Sequence, residues 1–146
     1  MMRPMKERSL VLPTDLPCPC QPAGRLSRYE QCCGAFHQRF AKSGELGAPD
    51  ASTLMRSRYS AYVLDQLDYL LATWHASTRP ARLDPNEAGL KWLGLEVKNS
   101  QVQDDDHATV EFVARSKFGG RAHRLHEISR FVRESGAWYY LDGEIR

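Results

Sequence analysis

All four cysteines of this 146-residue chain lie between Cys18 and Cys33. They form two close pairs, Cys18-Pro19-Cys20 and Cys32-Cys33, with eleven residues between them, and Gly34-Ala35-Phe36-His37 follows. A stretch this short has no room for a hydrophobic core of its own, so something else must hold it together. Zinc favours four tetrahedral thiolate or imidazole ligands delivered as two close pairs, and in such a segment ligation is largely the folding energy. One Zn2+ on Cys18, Cys20, Cys32 and Cys33 is the reading, with a Cys3His set, His37 in place of Cys33, as the alternative. Four protein ligands leave no open position, so the ion is expected to be structural. Arg25, Arg28, Arg39 and Lys42 lie close enough in sequence to offset the negative field of four thiolates.

The rest of the chain is ordinary in composition. Its apolar share of 42% supports a packed core without disulfides. Residues 1–58 carry nine Arg and Lys against five Asp and Glu, and residues 59–146 carry eleven against thirteen, a mild asymmetry that singles out no polyanionic partner. No apolar run is long enough to span a bilayer, and residues 1–16 have no hydrophobic region of the secretory kind. A cytoplasmic location is therefore expected, where reduced thiols serve as metal ligands rather than disulfides.

Residues 1–16, with Pro4 and Pro13, read as a flexible arm, and 17–43 as the cysteine module. Within the module Tyr29 to Lys42 suits a short helix, Phe36 and Phe40 sharing a face. Residues 43–51 have the Gly and Pro content of a linker. Capped at Asp50 or Ser52, a long helix is expected to run to about His75, with Met55, Tyr59, Tyr62, Val63, Leu67, Leu70, Leu71 and Trp74 on its apolar side and Arg56, Arg58, Asp65 and Asp68 largely elsewhere on the wheel. Asp84-Pro85-Asn86-Glu87 opens like a second, short helix, ending at Gly94. From Leu95 the period changes to two. Strands are expected over 95–103, 108–118, 124–133 and 138–142, with turns at Asp104–Asp106, Gly119-Gly120 and Ser135-Gly136. Helices followed by strands argue an α+β fold, an antiparallel sheet with one face covered by the long helix.

If Ser135-Gly136 is the tip of the last hairpin, Arg133 pairs with Trp138, Phe131 with Tyr140 and Ser129 with Asp142. One face would then carry Glu127, Ser129, Phe131, Trp138, Tyr140 and Asp142, an acid and a hydroxyl in line with large aromatics. Glu127 is the candidate general base of such a pocket, with His75 and Asp142 as candidate partners and Arg56 on the helix facing the same region. Each also has a plain structural role: Glu127 paired to a buried Arg, Asp142 bonded to turn amides, His75 at a helix C-terminus.

Two resemblances bear on these readings. Cys18-Pro19-Cys20 and Tyr29-x-x-Cys32-Cys33 resemble the SEC-C zinc motif found at the end of the translocase ATPase SecA. Two departures are Gln21-Pro22, where the motif has Gly-Ser, and an eleven-residue gap where its loop is shorter. Leu54-Met55-Arg56-Ser57-Arg58-Tyr59-Ser60-Ala61-Tyr62, Thr73-Trp74-His75, Trp92-Leu93-Gly94-Leu95, Phe112-Val113-Ala114-Arg115, Ser129-Arg130-Phe131 and Trp138-Tyr139-Tyr140-Leu141-Asp142-Gly143 resemble the YchJ family of uncharacterised bacterial proteins. These resemblances imply a SEC-C module over 17–43 and a nuclear transport factor two-like (NTF2-like, or cystatin-like) domain over 52–146. They also imply a zinc module that contacts a protein partner or the ribosome. The alternative is a small ligand, or ketosteroid isomerase-like chemistry, in the cone of the α+β domain, and a dimer through paired sheets is a third expectation.

Overall fold

The computed structural model describes residues 16–21 and 27–146. Nearly all of the expected arm, and the middle of the loop between the cysteine pairs, lie outside these residues. Three helices pack on a four-stranded antiparallel sheet. After a 3-10 turn at Tyr29–Gln31 come α1 (Cys33–Ser43), α2 (Ala51–Val63) and α3 (Leu67–Ala72). The strands are β1 (Lys91–Asp104), β2 (His107–Phe118), β3 (Arg121–Glu134) and β4 (Ala137–Ile145), side by side in chain order. No helix among the described residues is long and apolar enough to cross a membrane.

The meander follows from its turns. Gly119 and Gly120 have φ of 60° and 78°, and Ser135 and Gly136 have 52° and 81°. Two consecutive left-handed residues are what a tight type I′ hairpin needs, because that turn matches the twist of its strands. Asp50 caps α2 as expected, its Oδ1 accepting the Thr53 amide at 2.7 Å.

The long helix expected to His75 is instead two helices. The chain breaks at Asp65, whose φ is 56°, a left-handed conformation that Asp tolerates better than most residues. The break is held from a distance. Asn86 donates its side-chain amide to the Tyr62 carbonyl at 2.7 Å and its backbone N–H to Asp65 Oδ1 at 2.9 Å. These contacts satisfy groups left free where α2 ends. They also explain why the expected helix at Asp84–Glu87 does not form. Asn86 is spent clamping α2, and the segment stays irregular up to a single turn closed by Leu90 N–H on the Glu87 carbonyl.

The core lies between the helices and one face of the sheet. One contiguous cluster joins Leu54, Met55 and Tyr59 of α2 to Val110, Phe112 and Phe131 of the sheet, and it also includes Tyr29, Cys18, Cys20 and Cys33. A smaller cluster packs Ala61, Tyr69 and Leu70 against Phe36 and Phe40 of α1, the pair expected on one helix face.

Candidate functional sites: a cysteine cluster and a cavity

The two cysteine pairs meet because the chain between them folds back on itself. Cys18 N–H donates to Ser27 O at 2.9 Å and Tyr29 N–H to Leu16 O at 3.0 Å, an antiparallel bridge that closes the long gap. Tyr29–Gln31 then turns Cys32 and Cys33 inward at the start of α1. Gly34 is required there, since a Cβ would lie 2.6 Å from the Tyr29 carbonyl. The four Sγ atoms end within 4.8 Å of one another, three of the residues buried. Cys20 and Cys32 sulfurs are 3.6 Å apart, close to the edge of about 3.8 Å that Zn–S bonds of about 2.3 Å imply.

The protonation chemistry of this cluster fits a cation. Hydrogen bonding from Cys20 and then Cys33 pulls the Cys18 thiol far below its ordinary range, while the bonds to Cys18, Cys20 and Cys32 push Cys33 far above it. Cys20 is pushed up to about 12, chiefly by Cys18, and Cys32 falls to about 7, chiefly through Cys33. Four sulfurs this close share protons and cannot all ionise unless a positive ion sits among them. An all-sulfur, buried, four-ligand set is the donor chemistry of structural zinc. Polar groups surround the sulfurs as well. Ser60 Oγ lies 3.4 Å from Cys18 Sγ, and Gln21 Nε2 donates to Cys20 and Cys32 Sγ at 3.5 and 3.4 Å.

The expected basic neighbours play smaller parts. Arg28 and Arg39 pair with Glu30 and Glu45 at the surface, and Arg25 lies outside the described residues. Arg56 turns to the module instead of the cavity, its Nη1 donating to the Cys20 carbonyl at 3.3 Å.

His37 is not placed as a ligand. Its Nε2 lies 2.9 Å from the Ser57 carbonyl and its Nδ1 lies 2.6 Å from Tyr29 OH. A carbonyl only accepts, so Nε2 carries the proton and Nδ1 accepts from the phenol. The ring is neutral and fully engaged, and it fastens α1 to α2. Burial lowers its pKa, outweighing the Ser57 carbonyl that favours the proton. The unfolded imidazole titrates near 6.5, so below that pH the unfolded chain binds a proton that the folded chain resists. Stability should therefore fall as the pH drops from about 6.5, and level off once the lowered folded pKa is passed. In urea titrations between pH 7.5 and 5, His37→Asn should be less stable than wild type at neutral pH. The gap should narrow toward acid by at most about 1.4 kcal/mol per pH unit. A constant gap would remove the assignment of a neutral, buried His37.

The second site is a cavity of about 300 Å3 between α2 and the sheet. Aromatic side chains wall it: Tyr59 and Tyr62 from α2, Trp92 from β1, Phe112 and Phe131 from the sheet. Glu127 and Ser129 from β3 and Tyr140 from β4 bring polar atoms. Glu127 Oε2 accepts from Ser129 Oγ at 2.7 Å and from Tyr140 OH at 3.2 Å. Burial first, and then the Glu127 charge, raises the Tyr140 pKa well above the usual phenol range, so the phenol keeps its proton and donates it.

The cationic partner of this site is Arg58, which the helical wheel had put on the outer side. It is 5% exposed and its guanidinium lies over the rings of Tyr140 and Trp74 at 4.7 and 5.0 Å. Its Nη1 donates to the Leu70 carbonyl at 2.8 Å and to Thr73 Oγ1 at 2.7 Å, capping the C-terminus of α3. Burial lowers its pKa, opposed by the negative field of neighbours that include Glu127. Its capping role follows from the break at Asp65, which brings the end of α3 back beside α2 and has no local signature in the sequence.

Of the candidate acid–base residues, Glu127 alone faces the cavity. His75 turns outward, its Nε2 2.8 Å from Glu134 Oε2 and its Nδ1 2.7 Å from Ser77 Oγ. Asp142 is displaced by one register step. The pairs Arg133–Trp138 and Phe131–Tyr140 form as expected, but a bulge at Leu141 then pairs Arg130 with Asp142 and Ser129 with Gly143. Thr78 Oγ1 donates to the Leu141 carbonyl at 2.6 Å, holding the bulge. Asp142 therefore lies on the outer face in a two-point ion pair with Arg130, its carboxyl held below the usual range by that guanidinium.

Gly143 takes the place facing Ser129, and the Glu127 carboxylate lies directly against it. A Cβ there would overlap Glu127 Oε2. Gly143→Ala should displace the carboxylate from Ser129 and Tyr140 and cost roughly 1–3 kcal/mol, the usual range for overpacking. Denaturant melts paired with a crystal structure of the variant check this, and an unmoved Glu127 would refute it.

Comparison with known proteins agrees with both halves. The family described as YchJ, middle NTF2-like domain, matches residues 50–143. A UPF0225 protein of Bordetella pertussis is 63% identical over 129 residues, which is 88% of this chain and 92% of that one. A UPF0225 protein of Methylibium petroleiphilum is 63% identical over 130 residues, 89% of each. The solution structure of a SEC-C motif containing protein from Rhodopseudomonas palustris aligns with a TM-score of 0.70 at 31% identity, covering 88% of this chain and 98% of that one. A crystal structure of a SEC-C motif containing protein from Psychrobacter arcticus gives 0.76 at 28% identity, with 93% and 86% coverage.

Proposed function

Because the chain belongs to the YchJ family, whose members here carry the UPF0225 name, we propose that it is a zinc-stapled binding protein. Cys18, Cys20, Cys32 and Cys33 hold one structural Zn2+, and the α+β domain behind them holds a small ligand in its cavity. The zinc reading rests on the four sulfurs within 4.8 Å of one another, and the likeness to SEC-C motif proteins supports it. Elemental analysis of protein purified under reducing conditions should give about one zinc per chain. Protein purified that way without metal would end the reading.

The ligand reading rests on a cavity of about 300 Å3 that remains open between packed aromatic walls. That volume is at the small end of ligand sites. Glu127 is its acidic group. With His75 and Asp142 directed elsewhere, no second acid–base residue from that set stands beside it. Binding is therefore better supported than ketosteroid isomerase-like proton transfer.

A second reading concerns the module's outer surface. Arg28 and Arg39 are more than half exposed there, which suits contact with a protein partner or the ribosome. Pull-down from lysate with wild type and with Arg28→Glu/Arg39→Glu tests it. Identical partner lists would count against a docking role.

A further inference from the structure

The polar groups of the cavity keep hydrogen-bonding capacity for a ligand. Arg58 spends its Nη1 on Leu70 O and Thr73, and the rings of Trp74 and Tyr140 lie against its guanidinium, while its Nε and Nη2 bond no partner among the described residues. Glu127 has capacity of the opposite kind. A carboxylate offers about four lone-pair positions, and the two bonds from Ser129 and Tyr140 both fall on Oε2. Among the described residues no donor bonds Oε1, so the cavity contains an acceptor with capacity to spare.

Charge narrows the class further. Arg58 and Glu127, of opposite charge and not directly paired, border the same largely apolar enclosure. A cationic ligand drawn to Glu127 would meet the field of Arg58, and an anion drawn to Arg58 would meet Glu127. A neutral molecule with a hydrogen-bond donor meets neither penalty. The walls favour a flat one, because Tyr59, Tyr62, Trp92 and Phe112 offer ring faces and edges to a stacked aromatic. An acceptor on the same molecule has a use as well, at the remaining N–H groups of Arg58, which lines the cavity.

From these observations we infer that the cavity takes a small, neutral, flat heteroaromatic molecule that donates an N–H to Glu127. The inference depends on the small-molecule reading above and gives its ligand a chemical class. The space allows roughly one or two fused rings.

Benzimidazole at pH 8 is a suitable probe, being neutral with a ring N–H and a ring nitrogen acceptor. 1-Methylbenzimidazole lacks only the donor, 1-naphthoate carries a negative charge and benzylammonium a positive one. Titrations of the full metal-loaded chain would be followed by amide chemical shifts and by tryptophan fluorescence. Benzimidazole should bind at least about tenfold tighter than 1-methylbenzimidazole, the worth of a hydrogen bond to a charged acceptor. Glu127→Gln, which keeps the side-chain shape, should reduce that preference to about threefold or less. Equal binding of the two benzimidazoles, or tighter binding of either charged probe, would overturn the class while leaving a ligand cavity in place. No binding by any of the four at millimolar concentration would overturn the cavity reading and the inference with it.

Discussion

On the zinc reading, replacing Cys18 and Cys20 with serine is expected to abolish metal binding and unfold the cysteine module. Structural zinc contributes on the order of 10 kcal/mol or more in small modules, comparable to the whole stability of an ordinary domain, about 5–15 kcal/mol. The damage should not stop at the module, because Cys18, Cys20, Cys33 and Tyr29 belong to the same buried cluster as Leu54, Met55 and Tyr59. Circular dichroism should show lost helix, and the thermal transition should broaden or fall by tens of degrees, at about 2–4 °C per kcal/mol for a chain of this length. Chelation of wild type at neutral pH should reproduce the effect, and added Zn2+ should reverse it. An unchanged melt after verified metal loss would show that hydrogen bonds around the thiols suffice.

The second large effect is expected at Arg58. Substitution by Met keeps much of the volume but leaves the Leu70 carbonyl and Thr73, both buried, without their charged donor. It also leaves Glu127 in an apolar cavity with no neighbouring cation. Relief from burying a guanidinium offsets part of this loss. Each lost charge-assisted bond is worth roughly 1.5–3 kcal/mol, so a net cost of about 3 kcal/mol, near 10 °C in melting temperature, is expected. Arg58→Lys should recover only part of it, since one ammonium does not reproduce a planar fork held between two rings. Differential scanning calorimetry of both variants decides the matter. A cost under about 0.5 kcal/mol for Met would mean that α3 needs no cap from α2.

The strands were legible in the sequence because their signals are local. Alternation along Val110, Phe112 and Ala114 and the turn pairs Gly119-Gly120 and Ser135-Gly136 each act within a few residues, and all appear where expected. The cysteine cluster was legible for a related reason, since ligand type and spacing are properties of a short segment. The failures share an opposite cause. The break at Asp65 depends on Asn86, the burial of Arg58 on Leu70 and Thr73, and the outward turn of Asp142 on a bulge held by Thr78. In each case a polar group is satisfied by a residue a dozen to several dozen positions away, which no helical wheel or strand alternation registers. Glu127 was identified by a register correct at Phe131 and Tyr140 but wrong beyond the bulge. Gly143, which makes room for it, carried no signal except being glycine in a strand.

Helix α2 has no free side for most of its length. The Ser57 carbonyl meets His37 and its hydroxyl meets Tyr69, Ser60 meets Cys18, Met55, Arg58 and Tyr59 line the cavity, and Ala51, Leu54 and Ala61 are buried. A fragment cut at residue 50, where the family match begins, would expose one flank of that helix to water. The domain is therefore not a portable unit, and a transplant of the cysteine module onto another scaffold would lose its floor. A saturation mutagenesis scan should find residues 54–61 intolerant almost without interruption, where an ordinary amphipathic helix would show about half of its positions to be permissive.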